Sequence, residues 1–88
     1  MVWIETQWGD LYCIAGIRQP SEQERCVLGM KKERSRIEKT GIWEIAGMVS
    51  PDGGGWILGR YGSEARAREA FRVLKEAIIQ QKGIIRAP

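Results

Sequence analysis

Apolar and polar residues alternate from Val2 to Trp8, with Val2, Ile4, Thr6 and Trp8 on one face and Trp3, Glu5 and Gln7 on the other. This period of two predicts a half-buried strand. Gly9-Asp10 is a turn signal, since glycine takes positive φ without strain, and Leu11 to Ile17 then reads as the returning strand. Arg18 to Glu22 is expected to be a loop, because Pro20 has no N–H to give to a ladder. Glu24 to Met30 reads as a third strand, with Cys26, Leu28 and Met30 on one face. Trp43 to Val49 and Trp56 to Tyr61 form a hairpin around Ser50-Pro51-Asp52-Gly53-Gly54-Gly55. After Ser63 the period changes. Ala67, Ala70, Phe71, Leu74, Ala77 and Ile78 make one helical stripe, Ser63 is an N-cap, and Glu64 suits the positive end of the helix dipole. Gly83 can end the helix, leaving 82–88 as an apolar tail.

These elements predict an α+β fold: a single domain, 1–88, with an antiparallel sheet of about four or five strands and one C-terminal amphipathic helix over about 63–81. The helix stripe has to pack on the sheet, since nothing else in the chain can cover it. Two arrangements stay open. One is a strongly bent sheet closed by the helix, as in small pleckstrin-homology-type barrels; the other is a flatter sheet that dimerises through its free face.

The exception to this patterning is 31–41, a polar basic loop or hairpin arm between the third and fourth strands. Lys31, Lys32, Arg34, Arg36 and Lys39 face only Glu33 and Glu38, a formal +3. Thr40 and Gly41 supply turn chemistry near its far end. The whole chain also carries only +3, a mild footprint for nucleic acid.

Candidate chemistry is sparse. The chain has no histidine, which removes the commonest general base and the commonest metal ligand together. No Ser, Thr or Cys therefore has a histidine to activate it. Glu5, Glu44 and Asp52 could pair as acid and base, but strand faces and turns are where solvated carboxylates ordinarily sit. Neither a catalytic residue, a metal nor a cofactor is expected. Cys13 and Cys26 are expected to be reduced and buried as small apolar groups, with a disulfide as the alternative in an exported chain. Gly53-Gly54-Gly55 could approach a phosphate. A strand and not a helix follows it, so a plain turn is the better reading. Absence of asparagine, and nine arginines to five lysines, hint at a thermophilic or GC-rich origin.

No apolar run reaches the roughly 20 residues of a membrane span, and the start Met1-Val2-Trp3-Ile4-Glu5 lacks the pattern of a signal peptide. A cytoplasmic protein with no membrane role is the expectation. The Trp3-to-Tyr12 opening, and Trp56-Ile57-Leu58-Gly59-Arg60-Tyr61-Gly62-Ser63-Glu64-Ala65-Arg66-Ala67, resemble short proteins of uncharacterised function from Gram-positive bacteria and their phages. In those, a strand ending in Leu-Gly-x-Tyr runs into a capped helix rich in Glu and Ala. The resemblance is architectural and implies a phage or mobile-element setting, with inhibition of a host function fitting that setting.

The leading functional expectation is a small non-enzymatic protein that binds a protein partner. Lys31, Lys32, Arg34, Arg36 and Lys39 would make the contact, with Trp43 and Trp56 beside them. Homodimers or higher oligomers are expected from the apolar surface of Trp3, Trp43 and Ile84-Ile85, which one helix cannot cover. The alternative is an oligomer that sequesters a nucleotide or cyclic nucleotide, with Arg60 and Arg66 on phosphate and a tryptophan stacked on the base. A weak single-stranded nucleic-acid binder is the third reading.

Overall fold

The computed structural model describes residues 1–30, 34–50, 53–80 and 83–88. Its strands, in chain order, are β1 (Val2–Glu5), β2 (Leu11–Ile14), β3 (Gly16–Ile17), β4 (Ser21–Val27), β5 (Arg36–Met48), β6 (Gly55–Tyr61) and β7 (Ile85–Arg86), with α1 (Glu64–Ile79) between the last two. The class is α+β, with seven strands in two largely antiparallel sheets. The expected second strand is present but bends at Ala15, so that β2 pairs with β1 and β3 with β5. The apolar tail supplies β7.

The two sheets are joined at both margins. On one side the bend carries the chain across, with Ala15 and Arg18 N–H groups donating to Met48 O (2.7 Å) and Ala46 O (2.8 Å). On the other, Gln7 N–H donates to Leu58 O at 3.0 Å. Leu58 is the extra residue of a bulge, because Ile45 and Ala46 face Gly59 and Ile57, and a bulged residue is left without a ladder partner. Its carbonyl is thereby free for Gln7. Strand neighbours thus run β2, β1, β7 in one sheet and β3, β5, β4 in the other, with β6 also on β5, and the two sheets together form an incomplete ring around the core.

Inside the ring lie Ile4, Ile14, Ile45 and Leu58, capped by Ala70 and Leu74 of α1 and by Ile85. The helix packs on β5, β6 and β7 with the stripe that its period predicts. Ala67, Ala70 and Leu74 are buried, and Ser63 Oγ accepts the Arg66 N–H at 3.2 Å. Gly47 explains how β5 and β2 come so close. A Cβ there would lie 3.0 Å from Ile14 Cγ2 and 3.3 Å from Leu58 Cδ1.

Several local expectations give way to tertiary pairing. The first strand ends at Glu5, because the Thr6 hydroxyl accepts the N–H groups of Trp8 and Asp10, both at 3.2 Å, and bends the chain. Trp8 consequently leaves the inner face and is exposed. Pro20 is buried, and β4 begins at the next residue; proline is tolerated there since its missing N–H precedes the ladder. Ile85 is buried against β1, in parallel register with Ile4, so only Ile84 of the tail's isoleucine pair remains as apolar surface. Cys26 is exposed and Cys13 half-buried, both as free thiols, which corrects the expectation that Cys26 is buried. Among the described residues, no helix is long and apolar enough to cross a membrane.

β5 is the element that sets the shape. Its C-terminal half, with β3 and β6, is part of the ring, whereas Arg36–Lys39 pairs only with Glu24–Val27 of β4. The chain measures 54 × 28 × 20 Å with a radius of gyration of 15.3 Å, against about 12 Å for a compact chain of this length. The difference is a two-stranded arm that stands off the body.

Candidate binding surface

The arm is built rung by rung. Starting from the body, Glu22 faces Trp43, Glu24 faces Lys39, Arg25 faces Glu38, Cys26 faces Ile37 and Val27 faces Arg36. Between the first two rungs β5 carries two more residues than β4 does, and Gly41 takes a φ of +80° there. The Thr40–Gly41 pair is thus a bulge within a strand and not the turn its composition suggests. Thr40 Oγ1 donates to Gln23 O at 3.1 Å, and the Gly41 N–H donates to a Glu22 carboxylate oxygen at 2.9 Å. An even number of inserted residues preserves the alternation, so one face of the arm continues the inner face of β5.

Opposed residues share a face, which sorts the arm into two unlike sides. One carries Arg25, Glu38 and Arg36 as an ion-paired ladder. Glu38 accepts from Arg36 at 2.8 Å and from Arg25 at 3.3 Å, and these two guanidinium groups hold its carboxyl below the usual range. The other side carries Cys26 and Ile37, with the Glu24–Lys39 pair (3.2 Å) nearer the body. Ile37 is 69% exposed, and Leu28 and Met30, just beyond β4, are 78% and 77% exposed. Amphipathic ribbons of this kind usually rest on something, because a two-stranded hairpin alone is marginal in water.

The residues singled out in the sequence are partly brought together. Arg34, Arg36 and Lys39 are all on the arm and exposed, and Trp43 sits half-buried at its base. Lys31 and Lys32 lie outside the described residues. Trp56 is not beside the arm. It faces Gly47 at the opposite end of the β5–β6 ladder and stacks on Tyr12, ring centroids 4.8 Å apart. The residues that sequence reasoning missed are the apolar ones: Ile37 inside the basic run, and Cys26, Leu28 and Met30, which were assigned to an ordinary strand face.

Arg60 and Arg66 do not converge. Arg60 donates to Glu44 at 2.8 Å and lies over the Trp8 ring, 5.4 Å from its centroid. Tyr61, the next residue and so on the other face of β6, lines a small apolar cavity of about 390 Å³ with Arg66, Val73 and Pro88. A larger cavity of about 600 Å³ lies between Met1, Trp3, Ala15, Gly16, Ile78 and Ile84, and among the described residues the side chains lining it are uncharged. Among the described residues, neither cavity gathers the several cations that a phosphate group needs.

Of the carboxylates weighed as an acid–base pair, Glu5 is ion-paired with Arg86 at 3.0 Å and Glu44 with Arg60. Asp52 is outside the described residues. Gly53 and Gly54 have φ of +101° and +75°, with Val49 N–H donating to Gly54 O at 3.2 Å, the geometry of a connection between β5 and β6. No three or more His, Cys, Asp or Glu side chains among the described residues are grouped so as to hold a metal. Compared with known proteins, the chain matches no family model, no curated protein and no solved structure.

Proposed function

We propose that this chain is a small non-enzymatic binding protein that acts by contact with another polypeptide, and that the arm is its contact surface. The observation that carries this reading is the apolar side of the arm. Ile37 on the ribbon, and Leu28 and Met30 just past the end of β4, are each more than two-thirds exposed, and exposed apolar patches rimmed by charge mark interaction sites. The rim cations Arg36 and Lys39 are matched by Glu38 and Glu24, which favours a protein surface over a polyanion. In the phage or mobile-element setting that the resemblance implies, occupying a host protein would inhibit it.

The test is retention of partners by the intact chain and by an Ile37→Asp/Leu28→Asp variant, with Arg68→Ala on the outer face of α1 as control. The expected result is a specific bound protein that the control retains and the arm variant loses while its circular dichroism stays unchanged. Equal retention by all three would overturn the reading. Binding to oligonucleotides that weakens steeply with salt would favour the nucleic-acid alternative instead.

A further inference from the structure

Residues 85–88 lie along β1 as a bound peptide would. Without β7, β1 would be the edge of its sheet, since β2 occupies its other side. The tail supplies a parallel strand, with Ile4 facing Ile85 and Glu5 facing Arg86, and Ile85 fills a socket in the core, only 5% exposed. Further on, the Ala87 N–H donates to Glu5 O at 2.9 Å. Pro88 O accepts from Gln7 Nε2 at 2.7 Å and from the Tyr61 hydroxyl at 3.1 Å. The body braces this clasp. Gln7 Oε1 accepts the Arg60 N–H at 2.7 Å, and a Cβ on Gly59 would lie 2.6 Å from the Tyr61 hydroxyl and 2.9 Å from Gln7 Cδ. Only glycine leaves room there for both donors. Pro88 lines but does not fill the apolar cavity of about 390 Å³ beside Tyr61, Ala65 and Val73, a volume within the range of ligand pockets.

We propose that the groove along β1 is a site for an extended peptide, held closed by the chain's own tail. A segment with an aliphatic residue, followed three places later by a bulky apolar one, displaces that tail. The main-chain ladder to β1 supplies affinity that any sequence can use, and the side-chain pockets supply the choice. The socket takes the aliphatic side chain as it takes Ile85. The clasp takes the carbonyl three residues on, and the open cavity takes the side chain of that same residue, where proline is small. Between them, a cation suits Glu5, as Arg86 does at 3.0 Å. The tail is a weak ligand in its own right, with two ladder positions and one buried side chain, and elements with so few contacts open locally at low cost. Tethering compensates, because it sets an effective concentration on the order of millimolar. The groove is therefore shut to poor ligands and opens to a better-fitting one. It shares no residue with the arm and stands independently of it.

Fluorescence polarisation with a labelled peptide, Gly-Ile-Ile-Arg-Ala-Phe, tests the assignment on the intact chain and on Ile85→Ala. The variant, whose tail no longer fills the socket, should bind the peptide about tenfold or more tightly than the intact chain does, since its competitor is weakened. Aspartate in place of the peptide's second isoleucine should abolish binding, and proline in place of its phenylalanine should weaken it. Gln7→Ala added to Ile85→Ala should weaken it too. Ile37→Asp/Leu28→Asp should bind the peptide as the intact chain does, so failure at this groove leaves the arm's role untouched, and the reverse. Should Ile85→Ala lose its circular dichroism, amide exchange on the intact chain decides. Millimolar peptide should then speed exchange at Ala87 and leave Arg18, whose N–H donates to Ala46 O, unchanged. No binding to a folded Ile85→Ala, no acceleration at Ala87, or equal binding of the aspartate peptide each overturns the proposal.

Discussion

The two halves of β5 have the same backbone conformation and are held in place by different physics. In the body half, Ile45 is fully buried and Gly47 lies under Ile14; burying one such aliphatic side chain contributes roughly 1.5–3 kcal/mol. In the arm half, the cross-strand ion pairs are Arg25–Glu38 and Lys39–Glu24, with Arg25 and Lys39 each more than 60% exposed. Exposed pairs of this sort contribute about 0–1 kcal/mol. The body therefore fixes the fold, and the arm is a surface whose sequence can change at small cost to stability.

The comparison breaks most readily at Ile45. Ile45→Ala should destabilise the chain by about 2–5 kcal/mol, lowering the melting temperature by about 10 °C or more. Arg25→Ala, with the ion pair lost and nothing buried, should stay within about 1 kcal/mol by chemical denaturation. Comparable losses from both would show that the arm is integral to the folding unit.

Gln7→Ala is next in size. Its amide donates to Pro88 O at 2.7 Å and its carbonyl accepts the Arg60 N–H at 2.7 Å, tying β1 to β6 and to the end of the tail. Loss of two hydrogen bonds at about 0.5–1.5 kcal/mol each should lower stability by about 1–3 kcal/mol. It should also speed amide exchange at Ala87, which donates to Glu5 O, with no change on the arm. Ser63→Ala should cost about 1 kcal/mol through the lost N-cap, read as a lower melting temperature with the arm's amide exchange untouched.

The smallest effects separate the halves by pH. Glu38 ionises below its ordinary value of 4.5 because of Arg36 and Arg25. Its contribution is present above about pH 4.5 and is lost as pH falls through the lower folded value. Arm amides should therefore exchange faster in that acid window, and Glu38→Gln should abolish the dependence. In the body, burial raises Tyr61 above its ordinary 10.0, and its hydroxyl donates to Pro88 O at 3.1 Å. That contribution is present below pH 10 and lost as pH rises through the higher folded value. Tyr61→Phe should remove this alkaline step and leave the acid one.

Local elements were legible in the sequence because local rules govern them. The stripe from Ala67 to Ile78, the Ser63 cap and the β5–β6 hairpin around the glycines all follow from period and turn chemistry. What was not legible depends on partners remote in sequence. Ile85 reads as loose tail until it pairs with Ile4, and Thr40-Gly41 reads as a turn until the register with β4 makes it a bulge. The candidate surface shows the same limit. The charges at 31–41 were visible as a run, but the placing of Arg36 and Glu38 on one side of the arm, with Lys39, Ile37 and Cys26 on the other, requires knowing which residues face each other. Trp56 was grouped with Trp43 by composition, and the β5–β6 register separates them.

Mechanically, β5 is a cantilever. Thirteen residues at about 3.3 Å each make a beam some 43 Å long, clamped at one end between β3 and β6. A sideways load on the free end is carried back to that clamp, and bending concentrates where the ladder is interrupted, at 40–42. A load on Arg36 or Ile37 would therefore turn the arm before it could disturb Ile45. The joint at Gly41 spares the ring from the work done outside it.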